Sequence, residues 1–447
     1  MKTTTNKILI KNGIIITLDE KNHVLYNKAL LIENGVITKI AAENEITGPF
    51  SKVIDAKGKV VLPGMINAHM HFYSTLVCGL GKAKPSANFQ EVLENLWWRL
   101  DKKLTLDDVY YSALIVLLNA IRHGTTTLID HHASPFAITG SLQKIAQAVK
   151  ETGLRSCLCY EVSDRDGDAI AQEGIAENTA FIKECAANPQ DQLKALFGLH
   201  ASFTISEKTL EQAAHTARTL GVGCHVHTAE ANSDQIRTQE ICGQRIVERF
   251  HRHGVLGPQT IAAHCVHIND REVQLLAETD TMVVHNPQSN MNNAVGIANI
   301  INMTNQGVLV GLGTDAMTVN MFEELRVALW AQHLRADNPS CGFMEVANAL
   351  FANNKQIAQR IWSDVKLGML KENHAADVIL VDYIPATPLD ENSVLGHLIF
   401  GVSQNMVDTT IAQGQVLMEN KKLLLDIDEM EACAKSRELA EKLWERF

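Results

Sequence analysis

Several features that would assign this chain to a common class are missing from its sequence. It has no run of about 18 apolar residues, so no membrane-spanning helix is expected, and no signal peptide is visible, so we expect a cytoplasmic protein. Nine cysteines are scattered without a Cys-x-x-Cys pair, which fits reduced thiols and excludes the small zinc nucleoside-deaminase fold. No glycine-rich loop of the kind that cradles phosphates is present.

An excess of positive charge is also missing. The formal net charge is −11, with acidic and basic residues mixed along the chain, which argues against binding to nucleic acid or to an anionic membrane. A hydrophobic content of 46% and a charged content of 20% are typical of a soluble globular protein. A length of 447 residues exceeds one ordinary core and fits a barrel with a second, smaller domain.

Both ends of the chain have the pattern of short β-strands. Asn-Gly pairs at 12–13 and 34–35 separate β-branched runs in the first 60 residues, and Asn-Gly is a strong hairpin signal. Similar runs flank Gln413–Gly414 near the other end. We expect residues 1–60 and 368–425 to pair into one β domain, and residues 426–447, rich in Glu, Ala, Lys and Leu, to form a terminal helix.

The middle of the chain, residues 61–367, alternates strand-like runs with helical stretches. Leu106–His123 and Glu323–Ala336 are the clearest helices. The eight apolar runs are Val60–His71, Thr125–His131, Leu154–Glu161, Leu193–His200, Val222–His227, Thr260–Cys265, Met282–Asn286 and Val308–Asp315. Eight βα units predict an α/β fold of the (β/α)₈ TIM barrel type.

Every one of these runs ends in residues that can bind a metal or move a proton. In order, the endings are His69 and His71, Asp130–His131–His132, Glu161, His200, His227 with Glu230, His264, His285–Asn286, and Asp315. Active sites of such barrels lie at the carboxyl ends of the strands, so these side chains are expected to converge. On a strand, His69 and His71 share a face and supply half of a metal site suited to zinc or iron.

Five motifs together resemble the amidohydrolase superfamily, and within it the cytosine deaminase and chlorohydrolase-like (ATZ/TRZ) branch. They are His-Met-His after Leu-Pro-Gly, His-Thr-Ala-Glu at 227–230, Ala-Ala-His-Cys at 262–265, His-Asn-Pro-Gln-Ser-Asn at 285–290 and Gly-Thr-Asp-Ala at 313–316. The resemblance covers essentially the whole chain. It implies that the terminal β segments form a composite β-sandwich beside the barrel.

The resemblance also implies a metal site. Its ligands would be the two histidines of the first run, the histidine of the fifth and the aspartate of the eighth: His69, His71, His227 and Asp315. His225 shares a face with His227, but only His227 is followed at +3 by a glutamate. The fourth run ends without the lysine that binuclear members use, which favours one divalent metal, Zn²⁺ in preference to Fe²⁺.

Catalytic roles follow from the same resemblance. A metal of this kind lowers the pKa of its water from about 15.7 toward about 7. Asp315 would take a proton from that water, His264 would hydrogen-bond the developing oxyanion, and Glu230 would protonate a ring nitrogen and then the leaving group.

Substrate contacts are less defined by the sequence. His200 matches a substrate-binding histidine of relatives, although the proline that follows two residues later there is missing here. Polar side chains near strand ends are further candidates, namely Asp130, His131, His132, Asn286, Ser289 and Asn290. Arg99 would clamp an anionic group and Trp97 would stack on a ring, or Trp97 and Trp98 would be core residues beside a surface arginine.

Three functions remain open at this point. The first is a hydrolytic deaminase that releases ammonia from an amidine-like carbon of a small heterocyclic substrate, which the glutamate at 230 favours. The second is a hydrolase of cyclic amides or of carbon–chlorine bonds that uses the same water. The third is a non-catalytic scaffold, which the full ligand set disfavours. The resemblance also implies a homo-oligomer, dimeric or larger.

Overall fold

The computed structural model describes residues 6–402 and 407–447. Within them the strands, labelled β1 to β20 in chain order, are Lys7–Lys11, Ile14–Ile16, Val24–Leu25, Ala29–Glu33, Val36–Ala41, Lys52–Asp55, Val60–Pro63, Met65–Met70, Thr125–Asp130, Arg155–Leu158, Leu193–Ala195, Phe197–Ala201, Cys224–Thr228, Ile261–His264, Met282–His285, Val310–Leu312, Val378–Val381, Val407–Ala412, Gln415–Glu419 and Lys422–Leu423.

The α-helices in the same residues are labelled α1 to α16. They are Phe89–Val92, Trp98–Leu100, Leu106–Arg122, Ser141–Thr152, Asp168–Ala187, Glu207–Leu220, Asn232–Cys242, Ile246–His253, Asp270–Glu278, Pro287–Asn292, Ile300–Asn305, Met321–Ala336, Phe343–Asn348, Asn354–Ile361, Val394–Gly396 and Glu429–Arg446. Short 3₁₀ turns lie at Glu43–Glu45, Phe72–Val77, Asp101–Lys103 and Ser202–Thr204, and π turns at Leu93–Trp97, Ala349–Asn353 and His397–Gly401.

The strands from β8 to β16 form the predicted parallel barrel. One sheet has the order β8-β9-β10-β11 and the other runs from β12 to β16 in sequence order. The fourth barrel strand is interrupted at Leu196, so that β11 pairs with β10 and β12 with β13. The first and last barrel strands meet where Met70 bridges to Asp315, and the backbone N–H of Thr314 donates to His69 O at 2.9 Å.

The two ends of the chain build a β-sandwich, as expected from the resemblance. Its larger sheet has the order β20-β19-β18-β17-β7-β2-β3, so that strands from the two ends of the chain meet where β17 pairs with β7. Its smaller sheet has the order β5-β4-β1-β6. Apolar side chains from both sheets, such as Ile10, Ile32, Val61 and Leu380, form one buried cluster between them.

The run Val60–His71, predicted as one strand, is divided at Gly64. β7 belongs to the sandwich, pairing with β17, and β8 begins the barrel. A Cβ atom at Gly64 would lie 2.2 Å from Thr126 Oγ1, so only glycine fits where the chain passes between the two sheets. The change of sheet therefore lies at Gly64, past the expected boundary at residue 60, and the three-part division of the chain stays a prediction.

The helices predicted most clearly are found. α3 begins at a capping box made by Thr105 and Asp108 and packs against α4. α16, the terminal helix, packs on α3, and Trp444 Nε1 donates to Leu76 O at 2.8 Å. Among the described residues no single helix is both long and apolar enough to cross a membrane, and the bent pair Phe89–Lys103 and Leu106–Arg122 meets that test only when taken together.

Candidate metal centre

Imidazoles and a carboxylate converge at the carboxyl ends of the barrel strands. His69 and His71 come from the end of β8, His227 from β13 and Asp315 from the segment after β16. His71 Nε2 lies 3.1 Å from both His227 Nε2 and Asp315 Oδ1. The ligand atoms of His69, His71 and Asp315 all lie within 4.8 Å of one another, as do those of His69, His227 and His264.

In each of the three predicted histidine ligands, Nδ1 has a hydrogen-bond partner, and this contact orients Nε2. His71 Nδ1 donates to His131 O at 2.5 Å and His227 Nδ1 donates to His200 O at 3.1 Å. His69 Nδ1 is 2.8 Å from His225 Nε2, and His69 Nε2 is buried without a partner. Three Nε2 atoms are thus aimed at one region beside a carboxylate, which is a donor set that fits a divalent metal with an open position.

The backbone at this centre is strained where the ligands leave their strands. Asp315 and His264 adopt positive φ values of 52° and 75°. Such conformations are unfavourable for non-glycine residues and persist where the surroundings hold them. Here the hydroxyl of Ser289 donates to Asp315 Oδ2, which fixes the carboxylate beside His71.

Burial and charge set the protonation of these groups. Burial lowers the pKa of His69 and His227 well below the usual range, so both rings are neutral as metal ligation requires. Burial acts to raise the pKa of Asp315, but the hydrogen bond and charge of His71 outweigh it and hold that pKa below its usual range. The same pair raises the pKa of His71 to about 9 against the effect of burial.

Glu230 and His264 stand on one side of the centre. His264 Nε2 lies 3.6 Å from Glu230 Oε2 and 3.9 Å from Asp315 Oδ2. Asn290 Nδ2 donates to His264 Nδ1 at 2.9 Å, so Nε2 carries the ring hydrogen and points between the two carboxyls. Burial, followed by the charges of Asp315 and Asp234, raises the pKa of Glu230 well above its usual range, which favours the protonated form of this carboxyl.

A cavity opens over this centre. Its lining includes His71, His227, Glu230 and Asp315, so the cavity reaches three of the four predicted ligands and both carboxyls. The remaining wall includes five aromatic side chains, Tyr73, Phe89, Trp97, Trp98 and Phe203. A flat heterocycle is the kind of ligand that such a wall accommodates.

Some predicted substrate contacts lie on the cavity and some do not. His200, Trp97 and Ser289 line it, and Asn290 acts through His264. His131 lies beneath the ligands, where its Nε2 donates to the carbonyls of Leu199 and His225 at 3.1 Å.

Four further candidates have other partners in the structure. Asp130 accepts a hydrogen bond from the backbone of Phe72 at 2.7 Å, and His132 contacts Ser134. Asn286 is fully buried beside Val284 O. The structure does not bring Arg99 to the cavity, because its guanidinium contacts the ring and backbone oxygen of Phe447.

Sequence reasoning missed several residues that line the cavity. Tyr73, Asp101, Phe203 and Met317 all face it. Tyr73 follows the His-x-His pair at the next alternate position, which could have drawn attention to it. Asp101 gave no signal, because its place depends on a loop and on an ion pair with Arg165 that lies 64 positions away.

A parallel barrel with three oriented imidazoles, an aspartate and a buried glutamate at its carboxyl ends defines a metal-dependent hydrolase of the barrel type. The model of the amidohydrolase family matches residues 60–417. The chain belongs to that family, which confirms the resemblance seen in the sequence.

Curated relatives cover nearly all of the chain. It is 32% identical over 448 residues to a 5'-deoxyadenosine deaminase of Methanobrevibacter smithii, with 99% of each chain covered. It is also 32% identical to a 5-methylthioadenosine/S-adenosylhomocysteine deaminase of Thermococcus sibiricus, covering 92% of this chain and 94% of the relative.

Solved structures share the fold. An adenosine deaminase from Xanthomonas campestris with bound zinc superposes with a TM-score of 0.86 at 21% identity, covering 98% of both chains. Atrazine chlorohydrolase from Arthrobacter aurescens, complexed with zinc, gives 0.80 at 22% identity, covering 97% of this chain and all of the other. The barrel with an attached β domain is therefore a fold with known examples.

Proposed function

We propose that this protein is a metal-dependent hydrolytic deaminase that replaces the amino group of a small heterocycle with oxygen and releases ammonia. The observation that carries the proposal is the buried Glu230 beside His264 and Asp315, at a cavity that also reaches His71 and His227. A neutral carboxyl can donate a proton to a ring nitrogen, which makes the neighbouring carbon susceptible to attack by water. The deaminases among the curated relatives support this reading.

We propose His69, His71, His227 and Asp315 as holders of one divalent metal, with zinc preferred and ferrous iron compatible. When bound, such a metal acidifies a water molecule and polarises the site. His225 is not placed among the ligands, because its Nε2 faces His69 Nδ1 instead of the common region.

The protein groups then divide the proton transfers among them. Asp315, ionised and held by Ser289, accepts a proton from the attacking water. Glu230 gives its proton to the ring nitrogen, and Asp315 passes the proton that it took from the water to the departing amine. As ammonia leaves, Glu230 recovers a proton from the new hydroxyl group. His264 Nε2–H donates to the oxygen on which negative charge develops, which stabilises the tetrahedral carbon.

A homo-oligomer, dimeric or larger, is proposed on the family resemblance, and sedimentation would test it. The substrate is proposed to be a heterocycle of nucleobase or nucleoside type, because the relatives named above act on adenosine derivatives.

The test combines metal analysis with ammonia release from a panel of heterocyclic amines, comparing the native protein with Glu230→Gln. We expect about one metal per chain in both, and a loss of about 10²- to 10⁴-fold in kcat for Glu230→Gln, because amide cannot donate the proton. Glu240→Gln on the exposed face of α7 is the control and should keep full activity. Metal without ammonia, but with ring opening or halide release, would favour the cyclic-amide or chlorohydrolase alternative. Protein that binds no metal would overturn the proposal.

A further inference from the structure

The cavity wall beside the strand-3 and strand-4 ends carries hydrogen-bond acceptors that face the cavity. Glu161 follows β10 and His200 lies in β12, and both line the cavity although each is at most 7% exposed. Asp101 lines the same wall, and its Oδ1 is buried with no hydrogen-bond partner. Buried acceptors without donors are unfavourable unless a ligand supplies the donors.

Arg165 holds the Glu161 carboxylate in place. Arg165 Nη2 lies 3.0 Å from Asp101 Oδ2 and 3.3 Å from Glu161 Oε1, so one guanidinium serves two carboxylates. On its other side, Glu161 Oε2 is 3.3 Å from His131 Nδ1. Burial acts to raise the pKa of Glu161, but His200, His131 and Arg165 outweigh it and hold the pKa below the usual range. Glu161 is therefore a fixed, ionised acceptor.

His200 presents a second acceptor next to it. Its Nδ1 is 2.6 Å from the Thr204 hydroxyl, and that hydroxyl donates its hydrogen to Ala201 O at 3.0 Å. The hydroxyl has one hydrogen, so Nδ1 must be the donor in the shorter contact and Nε2 is left as a lone pair. Nε2 lies 3.6 Å from Glu161 Oε1, too far for a hydrogen bond between them.

This pair of acceptors lies where a reacting heterocycle must lie. The carboxylate of Glu161 offers an oxygen within 4.8 Å of the ligand nitrogens of His71 and His227. Glu230 instead groups with His264 and Asp315. A ring that receives a proton from Glu230 over the centre would therefore present another edge to Glu161 and His200.

We propose that Glu161 and His200 form a two-acceptor clamp that binds two N–H donors on the substrate ring, so that the substrate is an unglycosylated amino- or oxo-heterocycle and not an adenosine derivative. The inference rests on the proposed deaminase function for the placement of the ring. An adenine carrying a sugar on its ring has only acceptor nitrogens left in the ring, because its one amine is the leaving group. Those ring acceptors would meet the acceptors of Glu161 and His200 with no hydrogen between them, which disfavours binding of the ring.

Binding of a compound without a leaving amine tests the clamp separately from catalysis. Zinc-loaded protein would be titrated by calorimetry with xanthine, whose ring N–H groups donate, and with caffeine, in which they are methylated. We expect xanthine to bind at least about 10-fold tighter, and Glu161→Gln to remove most of this ratio, because its amide replaces one acceptor with a donor. Glu177→Gln, a buried glutamate on α5 that contacts the backbone of Gly140 and Leu142, is the matched control and should preserve the ratio.

Turnover gives the second arm. Ammonia release would be compared for guanine, 8-oxoguanine and cytosine against adenosine and 5'-deoxyadenosine. We expect the N–H-bearing bases to be preferred, and Glu161→Gln to lower kcat/KM for them by about 10- to 100-fold while leaving that for adenosine unchanged or higher.

The outcomes separate the two proposals. Release of ammonia mainly from adenosine derivatives, or an equal loss on both classes in Glu161→Gln, would overturn the clamp and leave the deaminase intact. No ammonia from any compound, with xanthine selectivity that disappears in Glu161→Gln, would support the clamp and overturn the deaminase. No selectivity between xanthine and caffeine would overturn the clamp whatever the turnover.

Discussion

At the scale of single residues, the orientation of the candidate metal ligands depends on groups that do not themselves bind the metal. Each candidate imidazole ligand has a partner on its far nitrogen, and for two of them that partner is a backbone carbonyl. His69 is different, because its Nδ1 faces another side chain, His225. Since a carbonyl cannot be substituted, His225 is the place where the support of the ligands can be tested.

Replacement of His225 by Phe should weaken metal binding. Phe fills a similar volume but offers no acceptor to His69 Nδ1–H, so the ring of His69 loses its orientation and its basicity. We expect an affinity loss of about 10- to 100-fold, measured by competition with a chelator of known affinity. His225→Gln, which keeps an acceptor, should retain more of the affinity than Phe does. Equal affinity in all three proteins would show that His225 only fills space.

At the scale of elements, the short helix α10 connects the centre to the outer layer of the barrel. It carries Ser289, which contacts Asp315, and Asn290, which contacts His264. Its first turn is held from behind by Glu324 of α12, whose Oε1 accepts from the backbone N–H of Gln288 at 3.1 Å. Glu324 Oε2 is buried without a partner, and burial raises the pKa of this carboxyl to about 8.

Glu324→Gln should therefore make the protein more stable at alkaline pH. A carboxyl whose pKa is about 8 when folded and about 4.3 when unfolded keeps its proton only in the folded state, so stability falls as pH rises between those values. The amide keeps an oxygen for Gln288 and cannot ionise. We expect the variant to exceed the native protein by at least about 1 kcal/mol at pH 8 and by little at pH 4, measured by chemical denaturation.

The control for this prediction is Glu323→Gln, the neighbouring and more exposed glutamate of α12. It should leave the pH dependence unchanged. A stability difference for Glu324→Gln that is constant from pH 4 to pH 8 would contradict the ionisation argument.

The barrel elements were predictable from the sequence because parallel strands bring their carboxyl ends to one edge. The endings of eight separate runs therefore predicted that His69, His227, His264 and Asp315 would meet without any knowledge of the loops. Two aspects were not predictable. The first is the change of sheet at Gly64: the Pro63–Gly64 pair marks a break in the run, but it does not show that the strands on its two sides belong to different sheets.

The second aspect is which way a polar residue points at the end of a strand. Asp130 and Asn286 lie at such ends, yet Asp130 binds the backbone of Phe72 and Asn286 is buried away from the cavity. The cavity wall beside the strand-3 and strand-4 ends depends on loops as well, because Asp101 and Glu161 are connected only through Arg165. Contacts of that kind follow from loop conformation, which alternation of residues along a strand does not encode.

At the scale of the whole molecule, one buried ion pair joins the barrel to the sandwich. Arg155 at the start of β10 donates from Nη1 to both oxygens of Asp377 at 2.7 Å, just before β17. Both side chains are almost fully buried, and Asp377 also accepts from the backbone of Gln413. Removal of one partner would leave the other charge buried and unpaired.

Arg155→Met should accordingly destabilise the protein by about 3–5 kcal/mol, because the Asp377 charge remains. The double variant Arg155→Met/Asp377→Asn should be less destabilised than the sum of the two single changes, since neither charge is then left alone. Denaturation midpoints and the metal content of each protein give the measurement. Additive effects would mean that the pair does not couple the two domains.

Because β2, β7 and β17 are neighbours in one sheet, that sheet cannot be completed until late in synthesis of the chain. β7 pairs with β17, so strands within the first 63 residues wait for a partner that begins at Val378. The ribosome adds residues at about 5–20 per second, so this sheet stays incomplete for tens of seconds while the barrel emerges. The early hairpins thus expose unpaired edges for most of translation, and the stage most open to aggregation precedes the arrival of the chain's last strands.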